Sequence, residues 1–283
     1  MNDTMQHIKH IELYTKRLMQ ANLFGHSRSH VKGSGLEFDQ LRDYQIGDDV
    51  RVVDWNSSAR NNKLLVKQFY EEKYRTVIIA IDISASVFYG SEQLKYKFIA
   101  DIGTILAYAA YLNKDEISLI LFSDDVEFYI PPRKGKNQVH AIIEKIFSVT
   151  KKNTQTNIKR LFEYIARLRK KNAMVFVISD FVDEKISNQI SFINQWCDVI
   201  AVRITDGFES KLPSYGFVTV QDIETKEQVV IDTGSTSNVS FFLHDRLKEQ
   251  KKLFAACRID LLDICIQNPI IEQLITFFRI RKR

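Results

Sequence analysis

The chain has 283 residues, of which 45% are hydrophobic and 27% are charged. These proportions are typical of an ordinary globular protein in water, and the length allows one large domain or two. With 40 basic and 35 acidic residues the formal net charge is +5, which a solvated surface explains without the clustered basic face that nucleic-acid binding requires. We therefore expect no nucleic-acid partner.

The cysteines and the apolar segments indicate the compartment. Cys197, Cys257 and Cys265 lie far apart, without the paired spacing of a metal site, and are typical of free thiols in a reducing compartment. No stretch reaches the roughly 18 apolar residues that span a bilayer, and the N-terminus lacks an apolar core of the signal-peptide type. We expect a cytoplasmic protein with no integral membrane segment.

The first quarter of the chain combines an amphipathic helix with a highly charged block. Residues 8–24 place apolar side chains at helical spacing among Lys, Arg and Gln. Residues 33–72 are crowded with charges of both signs and carry signals for a turn, a short helix and a short strand. We expect residues 1–74 to form one module, in which the helix precedes a small β-containing subdomain.

Three acids of the charged block allow two interpretations. Asp48, Asp49 and Asp54 could form an acidic metal site. Alternatively, they could belong to a salt-bridged structural module held by apolar and aromatic side chains, namely Phe38, Leu41, Tyr44 and Trp55. Because charges of opposite sign alternate along the block, the structural interpretation is favoured.

The run at residues 76–81 predicts the central strand of the fold. It is short, almost entirely apolar and rich in β-branched residues, as in a strand buried on both faces of a parallel sheet. It ends at Asp82-x-Ser84-x-Ser86, where a carboxylate and two hydroxyls follow at every second residue. These hard oxygen ligands suit magnesium or manganese. Asp and Ser are also ordinary N-cap residues, so the same pattern allows a cap of the next helix.

Helix and strand patterns alternate through the rest of the chain. This alternation implies crossover connections and a mostly parallel sheet with helices on both faces, so we expect an α/β domain at residues 75–283. The predicted elements are a helix at 94–112, a strand at 116–123, an antiparallel edge strand at 126–130, helices at 139–147 and 158–168, a strand at 173–180, a helix ending at 196, a strand at 199–204, a β-hairpin inserted at about 208–236, a helix at 239–256, a strand at 259–266 and a closing helix from Pro269 to Phe278.

Two later residues point to the same edge of the sheet as Asp82. Asp180 ends the strand at 173–180, and Thr156 precedes the helix at 158–168. In an open α/β sheet, ligands bind outside the carboxyl ends of the strands, where the strand order reverses. We expect these residues to meet there, at the protein surface.

Together, Asp82, Ser84, Ser86, Thr156 and Asp180 resemble the metal-ion-dependent adhesion site (MIDAS) of von Willebrand factor A domains. This resemblance implies a von Willebrand factor A-like (Rossmann-like) domain. It also implies that the two serines and the threonine hold Mg²⁺ (or Mn²⁺) directly, while the aspartates act largely through water. Neutral hydroxyls leave a divalent ion able to accept one more carboxylate from a partner.

The charged block carries a longer signature. It resembles the domain-of-unknown-function 58 family over Glu37-Phe38-x-x-Leu41-Arg42-x-Tyr44-x-x-Gly47-Asp48-Asp49-x-Arg51-x-Val53-Asp54-Trp55-x-x-Ser58-Ala59-Arg60. Members are bacterial proteins with a von Willebrand A-like domain, typically encoded beside MoxR-type AAA+ ATPases. The resemblance extends over roughly residues 30–235 and implies a MoxR-type ATPase partner and a chaperone-like role.

We therefore expect a non-enzymatic, metal-dependent protein-binding adaptor that helps to mature or assemble other proteins. Its partners would be the ATPase and a client protein, which the sequence does not name. The alternative is a magnesium-dependent phosphatase-like hydrolase with Asp82 as nucleophile. Such an enzyme needs a second Asp two residues further on, where this chain has Ser84, and the chain has no GxxxxGK[ST] phosphate loop.

Overall fold

Strands and helices alternate along the chain, as the sequence predicts. The computed structural model describes residues 11–12, 15, 32–33, 37–70, 75–88, 95–150, 155–181, 188–206, 216–221, 228–232 and 247–281. The described strands are β1 (Lys32–Gly33), β2 (Glu37–Asp43), β3 (Leu65–Tyr70), β4 (Thr76–Asp82), β5 (Glu116–Phe122), β6 (Val126–Arg133), β7 (Met174–Ser179), β8 (Asp198–Thr205), β9 (Phe217–Gln221), β10 (Gln228–Asp232) and β11 (Asp260–Cys265). The described helices are α1 (Trp55–Asn61), α2 (Lys95–Leu112), α3 (Lys136–Phe147), α4 (Ile158–Leu168), α5 (residues 247–256) and α6 (Ile270–Arg281), with 3-10 turns at Val50–Val52, Ser86–Phe88 and Asn188–Gln195.

The chain divides into two compact units. The described residues within 25–74 form the smaller unit, and those within 75–283 form the larger one together with Ile11, Glu12 and Thr15. The predicted division placed the first helix with the charged block instead. Ile11 groups with the larger unit because its side chain is buried in the hydrophobic core of that unit.

The larger unit is built on a six-stranded sheet in the order β11-β8-β7-β4-β5-β6. Every neighbouring pair is parallel except β5 and β6, so β6 is the antiparallel edge strand that the sequence predicts. If the six strands of this sheet are numbered 1 to 6 in chain order, then from β6 to β11 their order is 3-2-1-4-5-6, the doubly wound order. Successive strands are added toward one edge as far as β6 and toward the other edge from β7 onward, so the strand order reverses between β4 and β7. The α/β fold predicted from the sequence, mostly parallel with one antiparallel edge, is confirmed.

Helices cover both faces of this sheet. Alternate residues of β4 from Val77 to Ile81 face two different cores, because successive side chains of a strand point to opposite sides. Helices α2, α3 and α6 supply apolar side chains to one core, and α4 and α5 supply them to the other. Helix α2 lies close to the sheet at Gly103, where an added Cβ would come within 2.8 Å of Cδ1 of Ile81.

Several elements differ from the predicted ones in extent or in type. Strand β6 continues to Arg133 and includes two prolines. An edge strand tolerates proline, which has no backbone N–H, because on its outer side there is no neighbouring strand that needs a hydrogen bond from it. The segment before Trp196 is a 3-10 helix, and of the helix predicted at 239–256 only residues 247–256 lie in the described part of the chain. The hairpin predicted before that helix is formed by β9 and β10.

No helix in the described part of the chain combines the length and the apolar character that crossing a membrane requires.

The smaller unit is a three-stranded antiparallel sheet, in the order β1-β3-β2, with helix α1. Among the side chains that the structure describes in this unit, the buried apolar ones are Val53 and Val66, and an isolated β-bridge joins these two residues. This is the β-containing subdomain that the sequence predicts.

Each of the three acids singled out in the charged block, Asp48, Asp49 and Asp54, has its own local partner. The Arg42 guanidinium donates two hydrogen bonds of 2.6 Å to Asp48 and holds the pKa of that carboxyl at about 2. Asp49 accepts a hydrogen bond from the backbone N–H of Arg51. Asp54 caps helix α1 by accepting hydrogen bonds from the first backbone N–H groups of the helix, and it lies 3.5 Å from Lys67. These separate local roles favour the structural interpretation of the block.

The N-cap at Asp54 provides a test of that interpretation. Asp54→Ala should lower the melting temperature of the protein by a few degrees, because the cap is lost, whereas Asp54→Asn keeps a capping oxygen and should have a smaller effect. Thermal unfolding followed by circular dichroism measures both variants. A loss of magnesium affinity in Asp54→Ala at unchanged stability would show instead that the block belongs to a metal site.

Candidate metal centre

The predicted ligands meet at the carboxyl ends of β4 and β7, where the strand order of the sheet reverses. Asp82 is the last residue of β4. Asp180 directly follows β7, which is the parallel neighbour of β4 across the reversal of strand order. Ser84 and Ser86 lie in the turn that leaves β4, and Thr156 precedes helix α4. Parallel strands bring their carboxyl ends to one edge, so residues from three segments come together there.

A continuous series of contacts joins all five side chains. Thr156 Oγ1 lies 3.4 Å from Asp82 Oδ2, and Asp82 Oδ1 accepts a hydrogen bond of 2.8 Å from the backbone N–H of Ser84. The hydroxyl oxygens of Ser84 and Ser86 are 3.1 Å apart, and Ser86 donates a hydrogen bond of 3.3 Å to Asp180 Oδ1. The structure therefore places every predicted ligand in one cluster of oxygen atoms.

The position of Thr156 is set by its neighbour in the chain. Asn157 caps helix α4 through its side chain, which accepts a hydrogen bond from the backbone N–H of Arg160. The backbone N–H of Asn157 donates to the carbonyl of Ser123, just past the end of β5. This link ties the start of α4 to the same edge of the sheet as Asp82.

The cluster is more deeply buried than the predicted surface site. Asp82 still belongs to a central strand and is paired with Phe122 of β5, and its side chain is fully buried. Thr156 is the one ligand candidate with partial exposure. The relative exposures of the other four are 0% for Asp82 and Ser84, 6% for Asp180 and 8% for Ser86.

The two serines have contacts beyond the capping role that their sequence also allowed. Asp82 closes its own turn through the backbone of Ser84, while the hydroxyl of Ser84 lies against that of Ser86, which in turn contacts Asp180. The donor set consists of carboxylates and hydroxyls alone, which fits a hard cation such as Mg²⁺ or Mn²⁺. Among the described residues no three His, Cys, Asp or Glu side chains come together, so a metal here would depend on the hydroxyls.

A family model described as "Protein of unknown function DUF58" matches residues 40–253. The chain belongs to the DUF58 family. The chain is 22% identical over 286 residues to "Uncharacterized protein Rv1480" of Mycobacterium tuberculosis and to "Uncharacterized protein Mb1516" of Mycobacterium bovis, and each match covers 98% of this chain and 89% of the relative. The family predicted from the charged block is thus confirmed. The names of these relatives do not indicate a function.

Two solved structures are also similar to this DUF58 chain, each over 74% of this chain and 98% of the other. The conserved hypothetical protein BatB from Bacteroides thetaiotaomicron is 13% identical with a TM-score of 0.45. An uncharacterized membrane-spanning protein from Vibrio fischeri is 10% identical with a TM-score of 0.27. Both scores are too low to contribute to the assignment of fold or function.

Burial changes the acidity of the central carboxyl in this DUF58 protein. Loss of water around Asp82, together with the negative charge of nearby Asp180, raises the pKa of Asp82 to about 7. Hydrogen bonds from Ser179 and Ser84 oppose that rise. A divalent ion at this position would therefore have to displace a proton near neutral pH.

Sequence reasoning missed two residues of the cluster. The Ser179 hydroxyl donates a hydrogen bond of 2.6 Å to Asp82 Oδ2 and accepts one of 3.0 Å from the backbone N–H of Phe181. Lys95, the first residue of α2, places its Nζ 3.5 Å from Asp180 Oδ2. A serine inside an apolar strand and a lysine at a helix start carry no distinctive signal, and only the pairing of β4 with β7 and the docking of α2 reveal them.

A second layer of polar residues holds the turn after Asp180. Phe181 has a left-handed backbone with φ of 51°. Its carbonyl accepts a hydrogen bond of 2.7 Å from Gln250 on α5, and Gln250 in turn accepts one from the buried Arg203 of β8. Arg203 also pairs with Asp263 on β11. These contacts tie the Asp180 turn to the outer strands of the sheet.

The pKa of Asp82 predicts how stability depends on pH. Its ordinary value is 3.8, so between pH 3.8 and about 7 the folded, metal-free protein holds a proton that the unfolded chain has lost. The stability contributed by this carboxyl is present in full below pH 3.8 and falls as the pH rises to about 7, by up to about 1.4 kcal/mol per pH unit.

Asp82→Asn keeps the side-chain size and removes this titration. In buffer with EDTA, the variant should gain stability relative to the wild type as the pH is raised from 4 to 8, and urea unfolding at several pH values measures the difference. Glu144→Gln, an exposed change on α3, is the matched control and should run parallel to the wild type. Parallel curves for Asp82→Asn as well would contradict the raised pKa.

Proposed function

We propose that this DUF58 protein is a metal-dependent protein-binding adaptor. In this proposal Asp82, Ser84, Ser86, Thr156 and Asp180 hold Mg²⁺ or Mn²⁺ at the sheet edge, where the ion recognises a carboxylate of a partner protein. The observation that carries the proposal is the joining of these five side chains into one oxygen-lined cluster at the switch point of the sheet.

The protein supplies an orienting frame for the ligands. The backbone of Ser84 fixes one oxygen of Asp82, and the Ser179 hydroxyl fixes the other. The hydroxyls of Ser84, Ser86 and Thr156 bring donors without adding charge. When bound, the ion supplies a Lewis-acidic position that an external carboxylate can fill.

Thr156 indicates the side from which a partner would approach. It is the ligand candidate with partial exposure, whereas the rest of the cluster lies beneath the surface. Lys159 and Arg160, on the first turn of α4, are exposed beside it. Positive charge beside Thr156 favours the approach of an acidic partner and acts mainly on the association rate.

The identity of the partner rests on the sequence resemblance alone. That resemblance implies a MoxR-type AAA+ ATPase and a client protein, and a chaperone-like role in the cytoplasm in maturing or assembling the client. The adaptor would capture a Glu or Asp of either protein through the bound ion.

The same site supports the adaptor better than a hydrolase. A phosphatase that used Asp82 as nucleophile needs an acid/base two residues later, where Ser84 stands with its hydroxyl against Ser86. We therefore propose that the protein is not an enzyme. Phosphatase assays with magnesium and a general aryl phosphate should give no turnover above that of the Asp82→Asn variant.

Metal binding is the first requirement of this function. Calorimetric titration of metal-free protein with Mg²⁺ should reveal one site, and Ser84→Ala and Thr156→Val should each weaken it because each removes a neutral oxygen ligand. An ion at about 100 times its Kd would stabilise the folded state by about 2.7 kcal/mol, visible as a higher melting temperature. The control is Ser118→Ala, since this buried serine bonds the carbonyl of Ile130.

Absence of Mg²⁺ and Mn²⁺ binding at millimolar concentration would end the metal hypothesis. Equal affinity in Ser84→Ala, Thr156→Val and wild type would place any bound ion elsewhere.

Partner capture provides the second test. Affinity for the candidate AAA+ ATPase should be high in Mg²⁺, should fall in EDTA, and should be lost in Ser84→Ala but retained in Ser118→Ala. Surface plasmon resonance with the full chain measures all four conditions. Affinity that is the same in magnesium, in EDTA and in Ser84→Ala would mean that the ATPase docks at another surface.

A further inference from the structure

A buried lysine, Lys95, contacts one of the carboxylates of the candidate metal centre. Lys95 has a relative exposure of 5%, although Lys is among the residue types that are hardly ever buried without a partner. Its Nζ lies 3.5 Å from Oδ2 of Asp180, which is itself buried. No sequence pattern drew attention to this residue, and the MIDAS resemblance gives it no role.

Asp180 divides its two oxygens between two kinds of partner. Oδ1 accepts the hydroxyl hydrogen of Ser86 and so faces the row of oxygen ligands. Oδ2 faces the ammonium group of Lys95. One carboxylate therefore serves both the cluster of oxygen ligands and an internal cation.

The nearby charges explain how a buried lysine is tolerated at this position. Two carboxylates lie close together at the edge of the sheet, and Asp180 already disfavours ionisation of Asp82. A buried carboxylate without a counter-ion is strongly unfavourable, and a positive charge within a few ångströms relieves that cost. Lys95 supplies such a charge from within the chain.

We propose that Lys95 is an internal cation that competes with the divalent metal for Asp180 and thereby sets the metal affinity of the site. This inference rests on the proposed metal-binding function. When the ion is absent, the ammonium group balances Asp180. When the ion is present, the same ammonium group repels it, because like charges in a poorly hydrated site interact strongly.

Two consequences follow for the site. Metal affinity is lower than the oxygen ligands alone would allow, so occupancy responds to the magnesium concentration rather than being permanent. With both aspartates ionised, the ion and Lys95 together leave the cluster with one excess positive charge. That excess favours an anionic group from outside the chain and so makes a carboxylate the preferred external ligand.

Neutral replacements of Lys95 test the competition. Lys95→Met should lower the Kd for Mg²⁺ by about tenfold or more, because the repelling charge is gone, whereas Lys95→Arg keeps the charge and should stay within about threefold of the wild type. Isothermal titration of the full metal-free chain with Mg²⁺ alone measures the Kd. Lys97→Met, an exposed lysine on the same helix, is the matched control and should leave the Kd unchanged.

A purely structural role for Lys95 predicts the opposite sign. Loss of a structural ion pair would disturb the cluster and weaken metal binding, whereas competition predicts tighter binding together with a larger rise of the melting temperature on adding Mg²⁺. If Lys95→Met does not fold without metal, Lys95→Gln, which keeps a hydrogen-bond donor toward Asp180, serves in its place and should show the same tightening.

The outcomes separate the inference from the function on which it rests. Tight binding in the neutral variants and weaker binding in wild type and Lys95→Arg support the competition. Equal or weaker binding in the neutral variants, with a measurable Kd in the wild type, overturns the role of Lys95 and leaves the metal site standing. No binding of Mg²⁺ or Mn²⁺ in any variant overturns both.

Discussion

The burial of two carboxylates at the carboxyl edge of one sheet is the constraint on which the site depends. Asp82 belongs to the central strand and Asp180 follows its neighbour, so the fold itself brings the two negative charges together. Such a pair persists in a folded protein only if protons, hydrogen bonds or cations compensate for the lost water. The residues around the pair are best understood as that compensation.

Four different groups bind the four oxygens of the pair. The Ser179 hydroxyl and the Ser84 backbone bind the two oxygens of Asp82, and Ser86 and Lys95 bind those of Asp180. Neutral hydrogen-bond donors orient the carboxylates without removing their charge. An oriented but under-neutralised pair of this kind is suited to receiving a cation from solution, and this property links the stability of the fold to its proposed function.

The sequence predicted those parts of the molecule that depend on local pattern. Asp82 and Asp180 each end an apolar run, Ser84 and Ser86 follow at fixed spacing, and Thr156 precedes an amphipathic helix, so all five could be placed at one edge of a parallel sheet. Ser179 escaped notice because its contact with Asp82 depends on the register between β4 and β7. Lys95 escaped because a lysine beginning a helix is ordinarily exposed, and its burial depends on how α2 packs on the sheet.

The expectation of a surface site failed for a related reason. A pattern of ligand residues after a strand shows that they lie near its carboxyl end. It does not show how deeply the neighbouring segments bury them. Here Asp82 is still paired with β5, and the turn after Asp180 is held down by Gln250 from α5. Depth matters for the chemistry, because it is the exclusion of water that raises the pKa of Asp82. In open solvent the same five residues would form a weaker and less selective cluster, since water would screen the charges that make the edge of this sheet attractive to a cation.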